Sequence, residues 1–233
     1  MKKSLPPKED PKKDDRIKPL ILVNFKTYPE AVGNKAIALA QQLSLVKSRG
    51  YDLAIAPSLL DLQPVLKVSK IKTYAQHADG PLGAHTGSIP VDELHRIGAA
   101  GTLLNHSEHK QPFEKIKQTI AWCHKKGLLT IVCTSDIMET QRIAGFRPDY
   151  IAYEPPELIG GNVSVTSAQP EIIIKALKTV QKISPSTKFL CGAGIQRRED
   201  IIGAIKLGAS GVLIGHAASQ AANPKVFMEN MLE

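Results

Sequence analysis

The feature that most limits what this chain can become is an alternation repeated eight times after residue 18: a short apolar run, a loop, then a stretch with helical spacing. The first run, LILVNF at 20–25, is continuous, partly β-branched and too short for a helix, the pattern of a strand buried on both faces. Val32, Ala36, Leu39, Leu43 and Val46 then recur at three- and four-residue intervals along one helix face, which Arg49-Gly50 ends. The same reading predicts strands at 53–56, 73–75, 102–104, 129–132, 150–153, 189–191 and 212–214. It predicts helices near 58–69, 91–97, 113–126, 137–144, 168–182 and 199–207, with Ser167 capping the sixth of the whole series and Gly127 and Gly208 stopping two others. Asn223-Pro224 opens a final helix as a cap and first-turn pair.

Eight such units in about 215 residues match the count and near-minimum length of a closed (β/α)₈ barrel, an α/β fold. A doubly wound sheet usually has five or six strands and a glycine-rich fingerprint after the first, and no GxGxxG follows 20–25. No linker interrupts 19–233, so that span is expected to be one domain. Residues 1–18 are rich in Lys, Pro and Asp with almost no apolar side chains, and are expected to form a disordered basic tail.

Charge and cysteine usage exclude several functions. The tail carries seven Lys/Arg against four Asp/Glu, net +3 of the total +8. The remaining +5 suits small anions by steering. Nucleic-acid binding is not expected, because basic residues are not clustered and aromatics make up 5% of the chain. No run approaches the roughly 18 apolar residues of a membrane span, and the N-terminus lacks an apolar signal core. Cys123, Cys133 and Cys191 are odd in number and without CxxC spacing, which argues against disulfides and structural zinc and for a reducing, cytoplasmic setting.

In such a barrel chemistry sits just beyond the strands, on the C-terminal face. Asn24-Phe25-Lys26 follows the first strand and Asn105-His106-Ser107-Glu108 the fourth. Glu154 follows the sixth, ahead of two prolines and, after Ile159, Gly160-Gly161: a stiff segment with a flexible end. Gly192-Ala193-Gly194 and Gly215-His216-Ala217 follow the seventh and eighth, where small residues let N–H groups approach a phosphate. By residue type alone Lys26 reads first as a solvated loop lysine, and His106 can be a packed or solvated imidazole. A metal reading would pair His106 with His109, but no further His or Cys stands at a comparable strand end. One carboxylate and one imidazole, with no Ser/His/Asp or Cys/His set, suit proton transfer on a phosphorylated carbonyl compound without a cofactor.

NFKTY, GAHTGS, NHSEH, TIVCTSD, YEPPELIGG, CGAGI and GVLIGHAAS occur in that order across about 24–218. In these motifs the chain resembles the triosephosphate isomerases. The short stretch between His106 and Glu154, and PPEL where a Pro-Val-Trp hinge is familiar, resemble the archaeal branch. The resemblance implies a (β/α)₈ TIM barrel that interconverts D-glyceraldehyde 3-phosphate and dihydroxyacetone phosphate through an enediolate, in glycolysis and gluconeogenesis, with neither cofactor nor metal. It implies Glu154 as base, His106 as a neutral electrophile and Lys26 as the cation offsetting enediolate charge. Substrate contacts would come from Asn24, Lys26, Ile159, Gly160, Gly161, Gly194, Gly215 and His216. Glu108 would hold Lys26 and His106 in register, with Cys133 packing near the site. Thr86 matches a loop that reaches into a second subunit, implying a dimer or tetramer. The chain departs from the common pattern at Ala193-Gly194 for Gly-Ser, His216 for a second glycine and Gly161-Asn162 for Thr-Gly. Other phosphosugar-type barrel isomerases resemble the last two loops but lack NxK with NHSE. A non-catalytic phosphate-binding scaffold would require Lys26, His106 and Glu154 to coincide by chance.

Overall fold

The computed structural model describes residues 18–155 and 170–233. Its strands are β1 (Leu20–Asn24), β2 (Asp52–Ala56), β3 (Lys72–Ala75), β4 (Gly101–Leu104), β5 (Leu129–Thr134), β6 (Tyr150–Tyr153), β7 (Lys188–Cys191) and β8 (Gly211–Ile214). The helices between and after them are α1 (Asn34–Leu43), α2 (Leu59–Val68), α3 (Val91–Arg96), α4 (Phe113–Lys125), α5 (Ile137–Ala144), α6 (Pro170–Ile183), α7 (Arg198–Lys206), α8 (His216–Ser219) and α9 (Pro224–Leu232). The strands pair in chain order and β8 returns to β1, so the sheet closes as a (β/α)₈ barrel. All eight seams are parallel. At the closing seam Gly211 faces Leu20, and a Cβ there would lie 2.0 Å from the Leu20 carbonyl oxygen. The barrel therefore closes over a glycine that no other residue can replace without moving β1.

Side chains on a strand alternate between the barrel interior and the helix layer. Leu20 and Leu22 belong to an inner cluster with Ala54, Tyr74, Leu103 and Leu213, while Ile21 and Val23 pack outward with the helices. This two-residue parity sets the inward-facing positions at the strand ends.

Expected and observed elements agree in order, and α5 and β6 have the expected bounds. Helix α1 is shorter than the apolar spacing suggested. Gly33, at φ 61, turns the chain immediately before it, and after Leu43 the hydrogen bonds tighten to Leu45 N–H on Gln42 and Val46 N–H on Leu43. The apolar period ran on because Val46 still packs against the core from that turn. The four-residue α8 was not anticipated. The Asn223 cap is present, its side chain accepting from Val226 N–H. The expected start of α6 at Ser167 and Ala168 lies outside the described residues, as does the tail up to residue 17.

Candidate active site

Inward parity carries past the strands into the barrel mouth. Asn24 continues Leu20 and Leu22, Gln76 continues Tyr74, Glu154 continues Ala152, Gly192 continues Leu190, and Gly215 continues Leu213. Lys26 and His106 reach the same space through backbone turns that non-glycine residues seldom adopt: Lys26 is at φ 49, and Asn105, just before His106, is at φ 58. Asn105 is held there by its own amide. Nδ2 donates to the Cys133 carbonyl (2.9 Å) and to Glu139 (2.8 Å), while Oδ1 accepts from Gln111 N–H (3.0 Å). The result is a cavity of about 330 Å³ with Lys26, His106 and Glu154 on its wall and the β7 and β8 loops completing it.

The electrostatics follow from burial. The Glu108 N–H donates to His106 Nδ1 at 3.2 Å, so this nitrogen is an acceptor and a neutral ring carries its proton on Nε2. Desolvation, reinforced by the nearby Lys26 cation, lowers His106 to about 4. Glu154 lies 3.4 Å from His106 Nε2 through Oε1. Burial raises Glu154 to about 7, against opposing hydrogen bonds from the Cys133 thiol and the Ser107 backbone. An ion pair would move both groups toward charge, and both move away from it. The contact is therefore not an ion pair, and desolvation outweighs any attraction. Glu154 Oε2 is buried with no hydrogen-bond partner among the described residues. Gly192 makes room for this carboxylate: a Cβ there would stand 2.5 Å from Glu154 Cγ.

Glu108 touches both of its expected neighbours, accepting from Lys26 Nζ through Oε1 at 2.6 Å and meeting His106 through its backbone. Asn24 lines the cavity, but its Oδ1 is engaged by Lys26 N–H (3.0 Å) and Gln76 Nε2 (3.2 Å). Cys133 is fully buried beneath Glu154. Gly194, at φ 67, Gly215 and His216 all line the cavity. The His216 ring packs edge-on to Tyr28 at 5.7 Å. The first N–H groups of α8, which begins at His216, lack partners within the helix, as at any helix start. Thr86 is outside the cavity, on an exposed loop tied at its base by Asp79 N–H on the Ile89 carbonyl and Ile89 N–H on the Asp79 carboxylate. Ile159, Gly160 and Gly161 lie outside the described residues. The His109 ring packs at a tilt against His77, ring centroids 4.5 Å apart, rather than joining His106. Among the described residues no three His, Cys, Asp or Glu side chains gather as a metal site needs.

Gln76, Tyr28, Asn105 and the clearance at Gly192 were not singled out in the sequence. Gln76 stands at the same address as the others, first after a strand and at inward parity, and the strand-end rule applied to β3 would have found it.

The triosephosphate isomerase family profile matches residues 19–231. The triosephosphate isomerase of Methanocaldococcus jannaschii is 38% identical over 216 residues, covering 92% of this chain and 99% of its own. That of Methanothermobacter thermautotrophicus is 39% identical over 209 residues, covering 89% and 91%. That of Archaeoglobus fulgidus is 37% identical over 215 residues, covering 91% and 96%.

Proposed function

The chain belongs to the triosephosphate isomerase family, and on that premise we infer that it interconverts D-glyceraldehyde 3-phosphate and dihydroxyacetone phosphate, a step of glycolysis and gluconeogenesis. A proton α to a carbonyl is weakly acidic, so its removal needs a base matched to neutral pH and donors ready for the oxygen that gains charge. Glu154 is the base. Its raised pKa of about 7 strengthens it while leaving it substantially ionised at neutral pH. His106 presents Nε2–H to the substrate oxygens, its proton placed there because Nδ1 accepts from the Glu108 N–H. Lys26 offsets the negative charge of the enediolate. Glu154 then returns the proton to the adjacent carbon, while the hydroxyl proton passes from one substrate oxygen to the other beside His106 Nε2, so that the carbonyl changes places.

The substrate phosphate fits the wall formed by the β7 and β8 loops, where backbone N–H groups near Gly194 and Gly215 and the start of α8 line the cavity. His216, turned edge-on to Tyr28, stands beside that wall. The family resemblance assigns further substrate contacts to Ile159, Gly160 and Gly161, and keeping water from the enediolate limits loss of its phosphate. Asn24, on the cavity wall, helps place the substrate while its side-chain oxygen holds the Lys26 N–H. The protein self-associates through the loop carrying Thr86, and works in the cytoplasm.

The observation that carries this reading is a carboxylate and a neutral imidazole 3.4 Å apart, both held from their charged forms, beside a lysine. A barrel that merely held phosphate would have no use for that pairing. A coupled assay with glyceraldehyde 3-phosphate tests it directly. Turnover abolished by Glu154→Gln is the expected result, and a purified, folded protein without turnover overturns it.

A further inference from the structure

Lys26 sits in a conformation that costs an L-residue about 1 kcal/mol or more, so the surrounding structure must hold it. Its N–H is taken by Asn24 Oδ1 at 3.0 Å. Its C=O is taken by Gln76 Nε2 at 3.0 Å, and the same nitrogen reaches Asn24 Oδ1 at 3.2 Å and the Ala56 carbonyl at 3.0 Å. Gln76 is half-buried just past β3, so its single amide nitrogen ties the ends of three neighbouring strands to the Lys26 turn. The amide orientation is forced, since the flipped group would set an oxygen against three oxygens. Gln76 lies along a neighbouring groove and not on the wall of the 330 Å³ cavity. It has no direct route to a substrate there.

We propose that Gln76 is a positioning residue: its side-chain amide locks the strained Lys26 backbone and thereby fixes where the Lys26 ammonium stands in the cavity. The inference rests on Lys26 acting in the reaction, as argued above. A lysine side chain has four rotatable bonds, so its terminal charge is placed only as well as the backbone beneath it. Glu108 restrains the ammonium from one side, but Glu108 is 59% exposed and cannot hold the main chain. With the Gln76 donors gone, the Lys26 carbonyl and Asn24 lose their shared partner and the turn is free to relax.

Steady-state kinetics and melting curves on Gln76→Met, Gln76→Glu and Lys26→Met test this. Gln76→Met keeps the length and removes the donors. It should lower kcat/KM by about 10- to 100-fold, the cost of misplacing a charged group by about an ångström, while remaining folded at the assay temperature. Gln76→Glu faces three oxygens that favour its protonated form, whose O–H restores one donor. Its activity relative to wild type should therefore rise as pH falls from 8.5 to 6, a response that a merely structural role would not produce. Gln76→Met within twofold of wild type overturns the proposal. So does a pH-independent ratio for Gln76→Glu, or failure of both variants to fold, which would make Gln76 a structural residue. Lys26→Met separates the two readings: if it is inactive while Gln76→Met is unimpaired, only this inference falls. Full activity in Lys26→Met overturns the role of Lys26 itself.

Discussion

Glu154 and His106 are held near neutrality by the same cause, removal from water, yet their effects on stability have opposite signs. Glu154 is raised from 4.5 to about 7, so the folded state binds its proton more tightly than the unfolded chain. Stability from this group is present below about pH 4.5 and is lost as pH rises toward 7. His106 is lowered from 6.5 to about 4, so its contribution is present above 6.5 and is lost as pH falls toward 4. Glu154→Gln imitates the protonated acid and removes the first cost alone. We expect it to lose several orders of magnitude in kcat and to melt several degrees above wild type at pH 8, with that advantage shrinking by pH 5. An advantage independent of pH, or a tenth of wild-type kcat remaining, would remove Glu154 from this role. In the wild type, kcat/KM should fall on the acid side through about pH 7, with no second limb near 6.5 from His106. For His106→Asn the loss should fall on kcat more than on KM, because an electrophile acts on charge that exists mainly in the transition state. A rise in KM alone would make His106 a binding residue.

Strand ends are where element geometry becomes chemistry. Gly192 closes β7 beside the Glu154 side chain, with no slack for even a methyl group. Gly192→Ala should leave the barrel folded, at a cost of about 1–3 kcal/mol for overpacking, yet lower kcat by at least about tenfold by pushing the carboxylate aside. Near-wild-type kinetics with intact folding would show that the base sits elsewhere during turnover. The order of elements was legible in the sequence because apolar period and length separate buried strands from amphipathic helices without any tertiary information. The strand-end addresses of Lys26, His106 and Glu154 were legible for the same reason. What was not legible depends on contacts between distant segments. The Gly192 clearance requires knowing that β6 and β7 are neighbours in register, Tyr153 beside Cys191. The Gln76 contacts require three strand ends to converge. That the Asn24 amide oxygen turns back onto the Lys26 N–H is likewise invisible in NFK alone. Helix α8 escaped because four residues hold little more than one turn of periodicity.

A whole-molecule question is what covers the groove beside the site. This groove, about 670 Å³, runs from Lys26 and Glu108 past Val32 to Leu59 and Leu60, of which Leu60 is 91% exposed. Apolar side chains flanking a charged site on the open face of a barrel suit a covering segment better than water. The loop bearing Thr86 is closed at its base by its own hydrogen bonds and stands as an exposed projection. A projection and a groove on one molecule suit exchange between two copies about a twofold axis. Because the groove borders Lys26, a docked loop would buttress that turn alongside Gln76, which links assembly to catalysis. The step from dimer to tetramer follows from the archaeal resemblance, with Met138 on α5, 82% exposed, as the large apolar side chain that helix presents to solvent. We expect light scattering to report a particle larger than a dimer, and activity to fall on dilution into the monomer range. Leu60→Lys, which sets a charge in the groove, should shift the particle toward monomer and lower kcat/KM while the isolated barrel stays folded. A fully active monomer would overturn both the dimer and the tetramer. A fully active dimer would overturn the tetramer alone.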